Sequence, residues 1–398
     1  MKRTVITGGC LVLHGKGIVS DGVLICSEGR IEAVVPVEEF VSKPDDEVID
    51  AGGCYVAPGF IDMHVHGGGG HDFMDGTVEA FLGVARAHAE HGTTALVPTT
   101  LTSSDEELFR SFDTFRKASS CNTDGAEMLG MHLEGPYFNP RQAGAQDPRY
   151  LTVPKPEHYN AVLEKGDDVI IRWSAAVELE GVEGLGHALR EHGILASIGH
   201  TDAVYEEVAA AFGAGFTHMT HLYSAMSTVS RRNAYRYAGA LEAAYLIDDM
   251  TVEVIADGIH LPKPLLQFVY KFKGPERTAL CTDAMRGAGM PDGEYRLGSL
   301  EDGQTVLVED GVAKLMDRSA FAGSVATADR LVRTMVQVAE VPLEDAVTMM
   351  TSTPASILGI RNRKGALEPG MDADIVIFDR NINIIKTIKA SNVIYSQN

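Results

Sequence analysis

His64 and His66 stand two residues apart in the segment Pro58-Gly59-Phe60-Ile61-Asp62-Met63-His64-Val65-His66. Alternate side chains of an extended segment share a face, so both imidazoles can reach one metal ion. The run Gly67-Gly68-Gly69-Gly70 follows at once and lets backbone approach a site closely. Taken alone, the pair reads equally well as two hydrogen-bonded histidines in a glycine turn. Further candidates shift that balance. Glu134 ends the apolar run in His132-Leu133-Glu134-Gly135-Pro136, and His200 ends Ala196-Ser197-Ile198-Gly199-His200. His221 lies in Thr220-His221-Leu222-Tyr223, and Asp283 ends Leu280-Cys281-Thr282-Asp283. Each falls where a strand-like run gives way to a loop. Imidazoles and carboxylates in such a set suit a divalent transition ion, and hence hydrolysis by a metal-activated water. The other histidines read differently: His132 as buried and structural, His88, His91, His187 and His192 as surface or helix-end groups. His218, three residues from His221, is badly spaced to share a strand face with it.

The elements that must position these groups are legible as texture. Between the candidates run Ala95-Leu96-Val97-Pro98, Met128-Leu129-Gly130-Met131-His132, Ile170-Ile171-Arg172-Trp173, Leu195-Ala196-Ser197-Ile198, Val252-Glu253-Val254-Ile255 and Thr278-Ala279-Leu280-Cys281. They alternate with amphipathic stretches such as 77–92 and 205–212. Repeated strand–helix units predict an α/β fold, a (β/α)8 TIM-type barrel, whose functional groups cluster where strands end. An open doubly wound sheet is the alternative, but no GxGxxG or Walker segment follows a strand. Both chain ends are β-rich. Val23-Leu24-Ile25-Cys26 and Ile31-Glu32-Ala33-Val34-Val35 flank a turn at Ser27-Glu28-Gly29-Arg30; Gly365-Ala366-Leu367, Asp374-Ile375-Val376-Ile377-Phe378 and the stretch 384–388 have the same texture. The expected division is a small β-sandwich domain formed by both ends, residues 1–57 and 360–398, around a barrel of residues 58–359.

Bulk properties narrow the partners. The 398 residues are 45% hydrophobic and 22% charged, which fits an ordinary globular chain. No apolar run approaches the roughly 20 residues of a membrane span. The start, Met1-Lys2-Arg3, faintly imitates a secretion signal, but Gly8-Gly9, His14 and Lys16 interrupt the apolar stretch a signal needs. Five scattered cysteines with no CxxC spacing predict a reducing, cytoplasmic setting without disulfides. A net charge of −21 argues against nucleic acid or an anionic membrane as partner. A small anionic substrate remains compatible, since screening over about 8 Å lets a local arginine cluster dominate.

The segments PGFIDMHVHG, HLEGP, SIGHT, THLYSAM, IADGIH, CTDA and FAGS, in this order and spacing, resemble the N-acetylglucosamine-6-phosphate deacetylase family of the amidohydrolase superfamily. The resemblance runs over residues 52–370, and the closing ALEPGMDADIVIFD resembles the wider superfamily. It implies hydrolysis of the N-acetyl amide of N-acetylglucosamine 6-phosphate to acetate and glucosamine 6-phosphate, by a cytoplasmic homodimer. It also implies one or two divalent metal ions, zinc or iron, with manganese or cobalt as alternatives. Glu134, His200 and His221 match the shared metal ligands. His64 and His66 match the extra pair of members that hold two metals, with Glu134 bridging. Asp283 matches the general base and acid, and His260 a substrate-binding histidine.

Three departures bear on the substrate. Ser224, before Ala225, stands where the family usually has Asn, and Gln146 where it usually has His. Gln still donates a hydrogen bond, though not a charged one. The segment holding the family's phosphate arginine is remodelled as Arg231-Arg232-Asn233-Ala234-Tyr235-Arg236, with Arg232 the best match by offset. These departures keep open a deacetylase of another amino-sugar phosphate, such as N-acetylgalactosamine 6-phosphate. A phosphate-binding isomerase or aldolase barrel needs no such ligand cluster. A non-catalytic sugar-phosphate-binding barrel has no use for Asp283.

Overall fold

Short apolar runs between amphipathic helices form a parallel barrel in the computed structural model, which describes residues 3–397. Met1 and Lys2, the start of the signal-like stretch, lie outside the described residues. The barrel strands are β1 (Phe60–Val65), β2 (Thr93–Thr100), β3 (Met131–Glu134), β4 (Ile170–Ala175), β5 (Leu195–Ile198), β6 (Phe216–Met219), β7 (Thr251–Val254) and β8 (Thr278–Leu280). Each pairs in parallel with the next. The ring closes through a parallel bridge of Val65 to Ala284 and a bond from the Asp283 amide to the His64 carbonyl, 2.9 Å. The expected (β/α)8 architecture is therefore the observed one. The run 128–132 is not one strand: Glu127–Met128 pairs with β2, and β3 starts only at Met131. Gly130 makes the break, because at its φ of +149° a Cβ would lie 2.4 Å from Ile171 and 2.9 Å from the Val169 carbonyl.

Helices follow the apolar periodicity. Helix Val78–Ala89 is capped by Thr77, whose hydroxyl accepts from the Ala80 amide at 3.2 Å. Phe81, Val84, Phe112, Leu185, Leu266 and Leu331 belong to one apolar core around the barrel. Among the described residues, no helix is long and apolar enough to cross a membrane.

The chain ends build two further sheets. One contains Arg3–Thr7, Gly22–Ser27, Arg30–Pro36 and Glu47–Asp50. In the other, Ile375–Phe378 pairs antiparallel with Tyr55–Pro58, so N- and C-terminal segments share a sheet. Ile6, Leu11, Leu24, Val56, Ile375 and Ile377 form the core they enclose. Gly365-Ala366-Leu367 is not a strand: it bends, and Ala366 and Leu367 enter that same core. A three-stranded antiparallel sheet after β8 (Gly293–Leu297, Gln304–Glu309, Val312–Leu315) was not anticipated, although Asp310-Gly311 between two β-rich runs marks its hairpin. Leu297, Val306, Val308 and Ala313 anchor it in a small apolar cluster, with Tyr295 and Leu315 packed against them.

Where ends and barrel meet, Lys364 is 2% exposed and gathers Asp374, Asp372 at 3.0 Å and Glu127 at 2.7 Å. Removing the ammonium leaves Asp374 buried without a cation, while Glu127 and Asp372 keep Arg363 as partner. Lys364→Met is expected to lower unfolding stability by about 3–5 kcal/mol in urea denaturation.

His88 is also inside, not at the surface as its position near a helix end suggests. It is 2% exposed, and Nε2 donates to the Gly67 carbonyl at 3.0 Å. His218 on β6 is fully buried. Burial pushes each imidazole down to about 4. Both stay neutral in the fold but charge near pH 6.5 when unfolded. Their contribution is therefore complete above about pH 6.5 and falls as pH drops towards 4. Urea titrations from pH 7 to 4.5 are expected to show declining stability, with a shallower slope for His88→Gln.

Candidate active site

The candidates converge at the C-terminal mouth of the barrel. His64 lies within β1 and His66 just beyond it; Glu134 ends β3; His200, His221 and Asp283 follow β5, β6 and β8. Glu134 Oε1 stands 3.0 Å from His221 Nε2, 3.2 Å from His200 Nε2 and 3.5 Å from His64 Nε2. Its Oε2 is 3.3 Å from His66 Nε2. Asp283 Oδ1 is 3.1 Å from His66 Nε2 and 3.3 Å from His64 Nε2, without hydrogen-bond geometry to either. His200, His221 and Asp283 adopt φ of +49°, +30° and +49°, the left-handed region that non-glycine residues avoid. Such backbone strain persists where surrounding structure imposes it, often at a working site. Gly67 admits no side chain, since a Cβ would meet the His71 carbonyl at 2.4 Å and the Arg286 amide at 2.9 Å.

Hydrogen bonds at the far ring nitrogens determine what faces inward. His64 Nδ1 meets Glu253 at 2.8 Å, His66 Nδ1 meets the Thr99 carbonyl at 3.3 Å, and His200 Nδ1 meets the Gln142 carbonyl at 2.8 Å. Carboxylates and carbonyls only accept, so each Nδ1 donates and, in the neutral ring, Nε2 carries the lone pair. A proton taken up there makes the ring a cation that pairs with Glu134 or Asp283, as the pKa of His66, raised despite burial, reflects. The Nε2 atoms of His64 and His66 are 3.3 Å apart. Lone pairs and carboxylate oxygens so close need a cation among them, and the donor set fits a divalent ion. His64, His66 and Glu134 form one possible ligand group; Glu134, His200 and His221 form another. Burial raises the Glu134 pKa, but His64 and hydrogen bonds from His200, His221 and His66 outweigh it, holding the carboxyl well below its usual range. Burial also opposes the charge on Asp283, yet His64 and His66 keep its pKa low, so it is poised as an ionised base.

Beneath this cluster lies a polar layer that the sequence did not disclose. Arg172 on β4 and Glu253 on β7 are fully buried and pair through two bonds of 2.6 and 2.8 Å. Burial raises the Glu253 pKa, but the guanidinium outweighs it and keeps the carboxyl well below its usual range. Both residues sit inside apolar strand runs; a charge there was the available signal. His132 is buried, as its sequence context suggests, with Nε2 2.7 Å from Ser174 Oγ. Burial and Arg172 hold its pKa well below the usual value, so it stays neutral.

A cavity of ≈ 600 Å³ opens above the cluster and is lined by His66, Glu134, His200, His221 and Asp283. Gln146, Ser224, Ala225 and His260 line it too. Gln146 donates to Glu134 Oε2 at 2.6 Å and accepts from the Thr102 amide at 2.9 Å. His260 Nδ1 is held by Asp257 at 2.8 Å and its ring lies 4.5 Å from that of Phe321. Leu297, Leu315 and Phe321, on or beside the unforeseen three-stranded sheet, form part of the wall. Arg232 is not brought into this cavity. It lies on an exposed hairpin, Ser230–Arg232 with Tyr235–Tyr237, its guanidinium 5.2 Å from the Tyr237 ring. The arginine that does border the cavity is Arg141, whose exposed guanidinium pairs with Asp202 in the adjoining space beside Arg231 and Arg232. An isolated arginine in a loop carries no sequence signal of that kind.

Comparison with known proteins agrees with the geometry. The pattern of the Amidohydrolase family matches residues 55–394. An N-acetylglucosamine-6-phosphate deacetylase of Lysinibacillus sphaericus is 34% identical over 367 residues, 90% of each chain. An N-acetylgalactosamine-6-phosphate deacetylase of Escherichia coli O157:H7 is 31% identical over 376 residues, 94% of each chain. A mutant N-acetyl-D-glucosamine-6-phosphate deacetylase of Mycobacterium smegmatis, solved with N-acetyl-D-glucosamine-6-phosphate, superimposes with a TM-score of 0.89 at 30% identity, covering 100% of both chains. Barrel, convergent ligands and these relatives lead to one statement: the chain belongs to the amidohydrolase family, within its N-acetylglucosamine-6-phosphate deacetylase branch.

Proposed function

We propose that this chain hydrolyses the N-acetyl group of N-acetylglucosamine 6-phosphate, releasing acetate and glucosamine 6-phosphate. The observation that carries the reading is the convergence of four imidazole Nε2 atoms on Glu134 beside an ionised Asp283, at the floor of a sugar-sized cavity. In this reading Glu134, His200 and His221 would hold one divalent ion, and His64 and His66, with Glu134 shared between the two groups, would hold a second. Zinc or iron suits the donors, as do manganese and cobalt. Such an ion, when bound, supplies Lewis acidity that lowers the pKa of water towards about 7 and polarises the acetyl carbonyl. Asp283 accepts a proton from the attacking water, whose oxygen bonds the acetyl carbon, and delivers that proton to the amide nitrogen as the C–N bond breaks. The amine leaves and the water oxygen stays in acetate. Gln146 and His260, both in the cavity wall, bind the amide and the sugar. The Ser224 hydroxyl and the Ala225 amide face the phosphate, the Ser224 amide itself being engaged by the His221 carbonyl at 2.9 Å. Arg232 is the phosphate residue by motif offset; Arg141 is the arginine supported by its place in the cavity wall.

The same chemistry on N-acetylgalactosamine 6-phosphate is the second reading, favoured by Gln146, Ser224 and the similarity to a relative of that name. The proposed setting is cytoplasmic, with domain limits at residues 1–57 and 360–398 around 58–359. A homodimer is supported by an exposed apolar face in which the Phe268 ring contacts those of Tyr245 and Phe272, with Leu246 nearby in sequence.

Acetate release measured over a panel of N-acetyl amino-sugar phosphates is expected to be fastest with the glucosamine derivative; preference for the galactosamine derivative selects the second reading. Asp283→Asn is expected to keep its metal, measured by elemental analysis, while kcat falls about 10²–10⁴-fold. Near-normal turnover sinks the assignment of Asp283. Arg141→Met is expected to raise KM about tenfold with little change in kcat, as for one lost charge-assisted bond. A rise confined to Arg232→Met moves the phosphate anchor to the hairpin.

A further inference from the structure

The buried guanidinium of Arg172 has all its donors engaged. Nε donates to Ser197 Oγ at 3.1 Å, Nη1 to the Met63 carbonyl at 3.0 Å and Glu253 Oε2 at 2.6 Å. Nη2 donates to Thr220 Oγ1 at 3.0 Å and Glu253 Oε1 at 2.8 Å. Such a group has one orientation, and so has the carboxylate it grips. Glu253 Oε1 then accepts from two residues above it: His64 Nδ1 at 2.8 Å and the backbone amide of His221 at 3.2 Å. The first contact sets the ring angle and tautomer of His64. The second ties down the chain where His221 holds its strained φ of +30°.

We propose that Glu253, clamped by Arg172, is a positioning residue that builds the His64 half of the metal centre. It does so by keeping the proton of His64 on Nδ1 and the lone pair of Nε2 turned towards His66 and Glu134. The inference rests on the reading of His64 as a metal ligand and names what makes it one. Its physical basis is general: a ligating imidazole commonly donates its other ring N–H to a carboxylate, and loss of that partner weakens metal affinity about 10–100-fold. In Glu253→Gln the amide cannot accept from Arg172 and His64 with both of its atoms. Turned with its NH2 towards His64, it reverses the tautomer and places a proton on Nε2.

The test is Zn²⁺ binding to the full-length protein, by chelator competition and elemental analysis, for wild type, His64→Ala, Glu253→Gln and the double variant. The expected result is about 10–100-fold weaker Zn²⁺ binding in Glu253→Gln at the site that His64→Ala abolishes. The site that survives in His64→Ala is expected to stay filled in Glu253→Gln, and the double variant to be no worse than His64→Ala. Zn²⁺ binding insensitive to His64→Ala overturns the ligand reading, and this inference with it. Zn²⁺ binding weakened by His64→Ala but not by Glu253→Gln overturns the inference alone. Should Glu253→Gln fail to fold with Arg172 unpaired, long-range ¹H–¹⁵N spectra of the metal-free wild type decide instead. A proton on His64 Nδ1 supports the proposal, and one on Nε2 overturns it.

Discussion

A carboxylate buried at 3% exposure in the mouth of the barrel, Glu134, has to be matched by positive charge. That requirement organises everything around it. Four imidazole nitrogens meet its oxygens, and they come from β1 and from the loops after β5 and β6. A parallel barrel is the arrangement that brings the C-terminal ends of such distant segments to one point. The imidazoles cannot satisfy one another, because three of them already donate from Nδ1. The result is a cluster of lone pairs and carboxylate oxygens that calls for a cation.

Support for that cluster extends downward and outward. Below, Arg172 and Glu253 fill the barrel interior where many barrels place aliphatic side chains. Replacing such a pair by apolar residues is often neutral for stability, so its presence here is better explained by what it positions. Around the cluster, left-handed backbone at His200, His221 and Asp283 directs side chains inward from strand ends. Outside it, the small sheet after β8 supplies apolar wall, and the loop after β3 supplies Gln146 and Arg141. The candidate ligands thus sit on rigid strand ends and the cavity's variable residues on loops, where Gln146 reaches back to hydrogen-bond Glu134.

Much of the barrel was readable because alternating apolar runs and amphipathic stretches report burial directly. Where reading failed, a local pattern was overruled by a distant contact. Gly130 splits a strand because Ile171 and Val169 crowd it. Gly365-Ala366-Leu367 looks like a strand but serves as a plug in the core of the terminal sheets. His88 does stand at a helix end, but the glycine loop folds over it and takes it from the surface. The outer sheet of residues 293–315 did carry a local signal, alternating runs joined by Asp310-Gly311, but it falls outside the strand–helix repeat on which the barrel was read.

By itself, the sequence determined the kinds of group available and their placement at strand ends: His64, His66, Glu134, His200, His221 and Asp283. It also determined the barrel, since period and order of elements are local properties of the chain. Only the tertiary structure decided that Glu253 and Arg172 lie beneath His64, that Arg141 rather than Arg232 lines the cavity of this chain, and that Gln146 reaches Glu134. Those facts depend on distances between residues far apart in the chain. Spacing along a chain reports which side chains share a face, whereas a hydrogen bond across a barrel depends on how all eight strands close.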